Sequence, residues 1–372
     1  MNLLVQPGDS VLPLVEAINK AKKSIEIAIF RFDRSEIEKA LAAAVMRGVS
    51  VHALIAYTNR GGEKNLRKLE MRLLADGVTV ARTAEDLARY HGKYMIVDRR
   101  ELFLLAFNFT YLDIEHSRSF GLVTNHPKAV QEAIKLFEAD VKRQSYAPSF
   151  PDFVVSPVNS RKRLAAFIRG ARKSLFIYDP EISDATMIRL LEERAKAGVE
   201  IKIIGRLRQK GMGLEVKKCR MRLHTRTIIC DEHQAFLGSQ SLREVELGAR
   251  REVGLIFRDD KIISRLAKIF QEDWIAERST AGEIENQAEP AAKVAKKVAK
   301  AVARELPPIA PVLEVAVKQF VGPDLEVELD AADVEEAVKE AVKEAVKEVV
   351  LDVAEEVVAQ NGAATAKDPE AA

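Results

Sequence analysis

The stretch "YHGKYMIVDRRELFLLAFNFT", Tyr90 to Thr110, sets a histidine, a lysine two residues on and an aspartate five beyond that before an apolar run ending on Asn108. A second stretch, "LHTRTIICDEHQAFLGSQS" from Leu223 to Ser241, repeats it. His224, Arg226 and Asp231 keep the spacing of His91, Lys93 and Asp98, and Ser241 falls where Asn108 does. On an extended strand residues i and i+2 share a face, so each imidazole shares a side with its cation. Such a pair can hold the oxygens of a phosphoryl group. A lone histidine at a strand end is usually a hydrogen-bonded edge residue, but the same residue at the same place in two copies points to chemistry.

The repetition reaches further in both directions. "VQPGDSVLPLVEAINKAKKSIEIAIF" from Val5 resembles "VSPVNSRKRLAAFIRGARKSLFIYDP" from Val155, and the offset of 150 residues persists to Gly48 and Gly198. At the paired stretches the offset is 133, and it carries on to Phe137 and Asp140 against Phe270 and Asp273. The second copy is therefore 17 residues shorter, in the segment that in the first holds "NRGGEKNLRKLEMRLLADG". Each copy reads helix, strand, helix, strand, with glycine as the natural stop of its second helix. Strands alternating with helices predict parallel βαβ units and sheets covered on both faces. Two lobes result, residues 1–147 and 151–278.

The 372 residues suffice for two or three domains, and 47% hydrophobic content suffices for a core. The net charge of +2 hides a division: residues 279–372 carry 20 acidic and 10 basic side chains, leaving 48 basic against 36 acidic over 1–278. A basic body attracts anions such as phosphodiesters. The tail, 279–372, is rich in Ala, Val, Lys and Glu, and Val338, Val342 and Val346 fall on one helical stripe. It is expected to be helical or disordered, an appendage for self-association, with the basic stretch from Lys293 to Arg304 open to contact with anionic membrane. Two cysteines, Cys219 and Cys230, make no metal-ligand or disulfide framework. With no signal-peptide pattern or bilayer-length apolar run, the expected location is cytoplasmic.

The duplicated H-x-K-x4-D motif (H-x-R-x4-D in the second copy), each followed by Asn or Ser at the end of the next strand, resembles the phospholipase D superfamily. The resemblance covers residues 5–278. It implies an α/β fold of two tandem α-β-α sandwich lobes about a pseudo-twofold axis, with one site between them and neither metal nor cofactor. The implied activity is that of a phosphodiesterase or phosphatidyltransferase working through phosphohistidine, with a phospholipid or nucleic acid substrate. In that reading one histidine attacks phosphorus and the other protonates the leaving alcohol, then deprotonates the incoming water or alcohol. The motif does not tell the two apart; the resemblance favours His91 as nucleophile. Lys93, Arg226 and Asn108 would bind phosphoryl oxygens, joined by Ser239, Ser241 and Glu252. Asp98 and Asp231 would hold the imidazoles in useful tautomers.

Both copies depart from the family pattern. The first has Leu105-Ala106 where Gly-Ser usually precedes the asparagine, and Ser119 where a glutamate usually follows; the second keeps Gly238-Ser239 and Glu252 but has Arg226 for lysine and Ser241 for asparagine. Leu105-Ala106 removes a hydroxyl and is expected to add bulk near the phosphate. A degenerate, non-catalytic phosphate- or nucleic-acid-binding member of the superfamily, or a nuclease-type member, is the alternative. The basic run Lys217, Lys218, Arg220 and Arg222, with Arg206, Arg208 and Lys210 before it, reads equally as a solvated strand edge or a steering patch. Gly61-Gly62 is read as a loop over the site, and Trp274 as core.

Overall fold

The computed structural model describes residues 1–57, 63–208 and 213–276. The expectations for residues 279–372, for Gly61-Gly62 and for Lys210 lie outside the described residues. Along the first lobe run β1 (Asn2–Gln6), α1 (Leu12–Lys20), β2 (Ser24–Ile29), α2 (Ser35–Met46), β3 (Ser50–Ile55), α3 (Glu63–Ala75) and β4 (Thr79–Arg82). Then come β5 (Arg89–Tyr90), β6 (Tyr94–Val97), β7 (Glu101–Leu105), α4 (Tyr111–Glu115), β8 (Ser117–Thr124) and α5 (Pro127–Val141). The second lobe has β9 (Phe153–Val155), α6 (Ser160–Arg169), β10 (Ser174–Ile182), α7 (Ala185–Lys196), β11 (Glu200–Leu207), β12 (Glu215–Lys217) and β13 (Arg222–Leu223). It continues through β14 (Arg226–Cys230), β15 (Gln234–Gly238), α8 (Glu244–Gly248), β16 (Arg250–Arg251), β17 (Val253–Phe257) and α9 (Asp260–Ala276).

The two main sheets have one topology. The first is ordered β1-β8-β7-β6-β2-β3-β4, the second β9-β17-β15-β14-β10-β11-β12, so every strand has a counterpart. The sheets are mixed, where parallel ones were expected. The β2, β3 and β4 strands are parallel, but the motif stretch folds back on itself as the antiparallel hairpin β6–β7, and β14–β15 does the same. The reason is loop length: three residues can join antiparallel neighbours, whereas a parallel pair needs a crossover of a dozen or more. The extra length of the first copy includes α3. The edge strands β1 and β9 precede the first helix of each lobe, where none was expected.

Local chemistry explains the remaining punctuation. Pro13 sits in the first turn of α1, where its missing N–H has no partner to lose. Gly48 and Gly198 follow α2 and α7 with φ of +82° and +88°, and an added Cβ would meet nothing within 4 Å. Backbone conformation rather than space therefore requires glycine there.

The outer face of each sheet packs its own helices: one apolar cluster unites Ile18, Leu41 and Leu73 with Ile27 and Phe103, another Ile168 and Leu191 with Ile177 and Ile203. A third cluster crosses between lobes, joining α5 and α9 through Phe137, Phe270 and Trp274 to both sheets. Trp274 is core, as expected, and Lys217 lies 4.2 Å from the centre of its ring while donating to its carbonyl.

The junction is reciprocal down to single residues. Arg222 and Leu223 of β13 pair in parallel with Ser117 and Arg118 of β8, while Arg250 and Arg251 of β16 pair with Arg89 and Tyr90 of β5. Adding 133 to one set gives the other. Arg118 makes a two-pronged ion pair with Asp273 at 2.7 and 2.8 Å, and its counterpart Arg251 meets Asp140 at 3.1 Å. Each lobe thus grips the C-terminal helix of the other.

Candidate active site

Both histidines sit at this junction, just beyond the seam strands. The His91 N–H donates to the carbonyl of Arg251 at 2.8 Å and the His224 N–H to that of Arg118 at 3.0 Å, each reaching into the opposite lobe. Their side chains are 9% and 12% exposed. Lys93 lies against the His91 ring and Arg226 donates to the His224 carbonyl at 3.3 Å, both cations being buried.

His91 is held firmly. Its Nδ1 lies 2.9 and 3.0 Å from the two carboxylate oxygens of Glu252, which is fully buried and comes from the second lobe. Donation from Nδ1 to that carboxylate fixes the tautomer that leaves the Nε2 lone pair free. Lys93 Nζ lies 3.0 and 2.9 Å from the two ring nitrogens; a point so placed is over the ring face rather than on an in-plane lone pair. The Phe30 ring closes the site edge-on, 4.6 Å from the imidazole centre.

His224 is held differently. Ser119 stands where Glu252 stands in the other copy, and its hydroxyl donates to the His224 backbone carbonyl at 3.2 Å instead of meeting the ring. The nearest carboxylate to the ring is Asp113 of α4, 3.4 Å from Nδ1 and only 3% exposed. Asp113 also takes the Asn108 backbone N–H at 2.9 Å and side-chain N–H at 2.6 Å, and Arg222 reaches its other oxygen at 2.5 Å. Its counterpart in the second copy is Glu246, which accepts from the Ser241 N–H and pairs with Arg250.

The electrostatics follow from burial. Desolvation, then the charges of Lys93 and Arg226, push the His91 pKa well below the usual imidazole value. Burial does the same to His224; Asp113 opposes it, and Arg226, Lys93 and Arg222 reinforce it. Lys93 is pushed down to about 7, mainly by burial against the pull of Glu252. Burial raises Glu252, while Lys93 and the Ser239 hydroxyl hold it back. Asp113 is lowered, because His224, Arg222 and the Asn108 N–H together outweigh its own desolvation.

Three expectations are corrected. Asp98 and Asp231 do not touch the imidazoles. Their carboxylates accept backbone N–H groups of Lys22, Lys23 and Ser24, and of Arg172, Lys173 and Ser174, at the far turns of the hairpins, about 20 Å along the chain from the histidines. Both occupy left-handed backbone, φ 52° and 53°, which aspartate tolerates better than most residues. These aspartates fasten each hairpin to its α–β connection. Glu252 binds imidazole rather than phosphate; an anionic carboxylate has no donor for phosphoryl oxygens. Leu105 does not crowd the site, since its side chain is fully buried in the first lobe's outer core, over Gly121.

The other predicted residues fall in two groups. Asn108 and Ser241 lie three residues past the ends of β7 and β15, Asn108 bonded to Asp113 and Ser241 accepting from Arg226 Nε at 3.1 Å. The Ser239 hydroxyl is bound to the Val253 backbone and steadies Glu252. Ala106 occupies the matching place in the first lobe, so the lost hydroxyl and the lost glutamate at 119 go together. The basic run is partly structural, with Arg222 committed to Asp113 and Ser117, and Lys217 to Trp274. Asp113 and Glu246 escaped notice in the sequence, although the 133-residue register aligns them.

The chain is thus a duplicated α/β frame with one histidine–cation pair from each lobe at a shared, buried junction. A family described as "Cardiolipin synthase, PLD-like domain" matches residues 14–141 and 164–274, and the chain belongs to the phospholipase D superfamily. It is 28% identical over 130 residues to the mitochondrial cardiolipin hydrolase of Danio rerio, covering 34% of this chain and 56% of that protein. It is 26% identical over 226 residues to the polyphosphate kinase of Prosthecochloris aestuarii, covering 55% and 31%. The chain thus spans less than two thirds of the length of either relative. Its fold is shared with the Porphyromonas gingivalis polyphosphate kinase (TM-score 0.62, 19% identity, 73% of this chain and 46% of that one). It is also shared with the phosphatidylserine synthase of Haemophilus influenzae (TM-score 0.53, 13% identity, 70% and 82%). Among the described residues no helix is long and apolar enough to cross a membrane.

Proposed function

We propose that the chain is a phosphodiesterase or phosphatidyltransferase acting through a phosphohistidine formed on His91. The observation that carries this reading is the buried Glu252 on His91 Nδ1, which leaves Nε2 as the nucleophilic nitrogen. His91 Nε2 attacks phosphorus as the bond to the leaving alcohol breaks, and His224 gives that oxygen its proton. His224 then takes the proton of water or an acceptor alcohol, which attacks phosphorus and releases His91. Lys93, Arg226 and Asn108 donate to the non-bridging oxygens. The negative charge of a bound phosphodiester would favour the protonated forms of Lys93 and His224, the protons coming from solvent.

Phospholipid is the favoured substrate, on the similarity to cardiolipin hydrolases and the cardiolipin synthase description of the family. A second reading, phosphoryl transfer from polyphosphate, draws on the longer match to polyphosphate kinases. The test is turnover of cardiolipin, phosphatidylglycerol, single-stranded DNA and polyphosphate by the wild type, His91→Ala and His224→Ala. Release from a lipid or DNA substrate, reduced at least about 10³-fold in His91→Ala, supports the reading, and turnover of polyphosphate alone favours the second. Binding without turnover of any of them favours the non-catalytic alternative.

A further inference from the structure

We propose that Asp113 is the positioning residue for His224, taking over from the first lobe the task that a residue at 119 is too short to perform. The assignment rests on the functional reading above, since it concerns the second histidine of the same site. The 133-residue register fixes what should be there: Glu252 bonds the ring of His91, so its counterpart, residue 119, faces His224. Ser119 uses its hydroxyl on the His224 backbone carbonyl instead. The loss is a coupled one, because Ala106 also lacks the hydroxyl with which Ser239 steadies Glu252.

Asp113 lies six residues before Ser119 in the same lobe and faces the His224 ring from α4. Its Oδ2 is 3.4 Å from Nδ1 while serving Asn108, and its Oδ1 is fixed by Arg222 at 2.5 Å. Arg222 is in turn anchored by Ser117 at 2.6 Å. Every other partner of Asp113 is a donor, and the buried His224 Nδ1, which makes no other hydrogen bond, faces the carboxylate at 3.4 Å, so the proton of this ring is expected on Nδ1. The consequence for His224 is the Nδ1–H tautomer, with Nε2 turned to the substrate. Four charged groups face this imidazole: Asp113 from α4, Arg222 from β13, Lys93 from just before β6 and Arg226 from β14.

The assignment is checked without substrate, by ¹⁵N NMR of the imidazoles in the full-length chain, with His224 resolved by comparison with His224→Gln. The wild type should show His224 as the Nδ1–H tautomer, and an Nε2–H tautomer overturns the assignment without need of any variant. In Asp113→Ala the preference should vanish and the His224 pKa should fall further, since the carboxylate that raises it is gone. Adding Ser119→Glu to Asp113→Ala should restore both, which repair of α4 alone could not do. An unchanged His224 in Asp113→Ala, or a double variant that does not restore it, contradicts the proposal. Since these readouts need no turnover, a wild type that turns over nothing sinks the reaction and leaves this assignment standing.

Discussion

The two half-sites share a frame and differ in how the ring is held. His91 faces a buried glutamate at 2.9 Å, backed by the Ser239 hydroxyl. His224 faces an aspartate at 3.4 Å that also serves Asn108 and Arg222. The second cation is an arginine tied to Ser241, where the first is a lysine lying over the imidazole. The departures from the family pattern are therefore grouped by contact rather than scattered. Ala106 goes with Ser119, and Arg226 with Ser241. The difference teaches that the better-held histidine suits a nucleophile, which needs a fixed lone pair, and the looser one a proton shuttle, which must change state twice.

That asymmetry can be broken most severely at the rings. His91→Ala should remove turnover by at least about 10³-fold for every leaving group. His224→Ala should do so for natural substrates but retain turnover with an aryl phosphodiester, whose leaving group needs no proton. Steady-state rates on both substrate types check this, and equal losses would erase the distinction. Glu252→Gln should reduce kcat about 10²-fold by freeing the His91 tautomer, and Asp113→Asn only about tenfold, as a shared carboxylate at longer range should.

The clasps offer the same comparison in stability. Asp273 receives two prongs of Arg118 and the Tyr178 hydroxyl, whereas Asp140 receives Arg251 at 3.1 Å, and burial raises its pKa to about 6. Arg118 and Asp273 are each 14% exposed, so Arg118→Met should cost about 2 kcal/mol, less than losing one partner of a fully buried pair, and Arg251→Met less still, because Asp140 can take up a proton. Urea unfolding at pH 7 measures both. A pH-dependent effect concerns Lys93, whose pKa in the folded chain, about 7, lies below its ordinary 10.5. The folded state then binds fewer protons than the unfolded one between those values, so stability should rise with pH across that window. In Lys93→Met this part of the rise should disappear.

Much of this was legible in the sequence, because a register kept at 133 residues over His91, Asp98, Asn108, Phe137 and Asp140 announces a duplicated fold and a doubled site. What it hid were contacts made across the junction. Glu252 meets His91 from 161 positions away, and strand periodicity tells which face a side chain takes but not what stands opposite. The same limit misassigned Asp98 and Asp231: their spacing is fixed by the hairpin turns they fasten, and that spacing looks identical to one imposed by chemistry. The mixed sheet was concealed because the apolar hairpins carry the continuous hydrophobic runs of a buried parallel strand.

The central claim is that His91 carries the phosphoryl group. Reaction of His224→Ala with an aryl phosphodiester, quenched and digested under alkaline conditions, allows mass spectrometry to place the modification. Phosphorylation confined to His91, and absent from His91→Ala, is the predicted result. A phosphoryl group on any other residue, or turnover that survives His91→Ala, would contradict it.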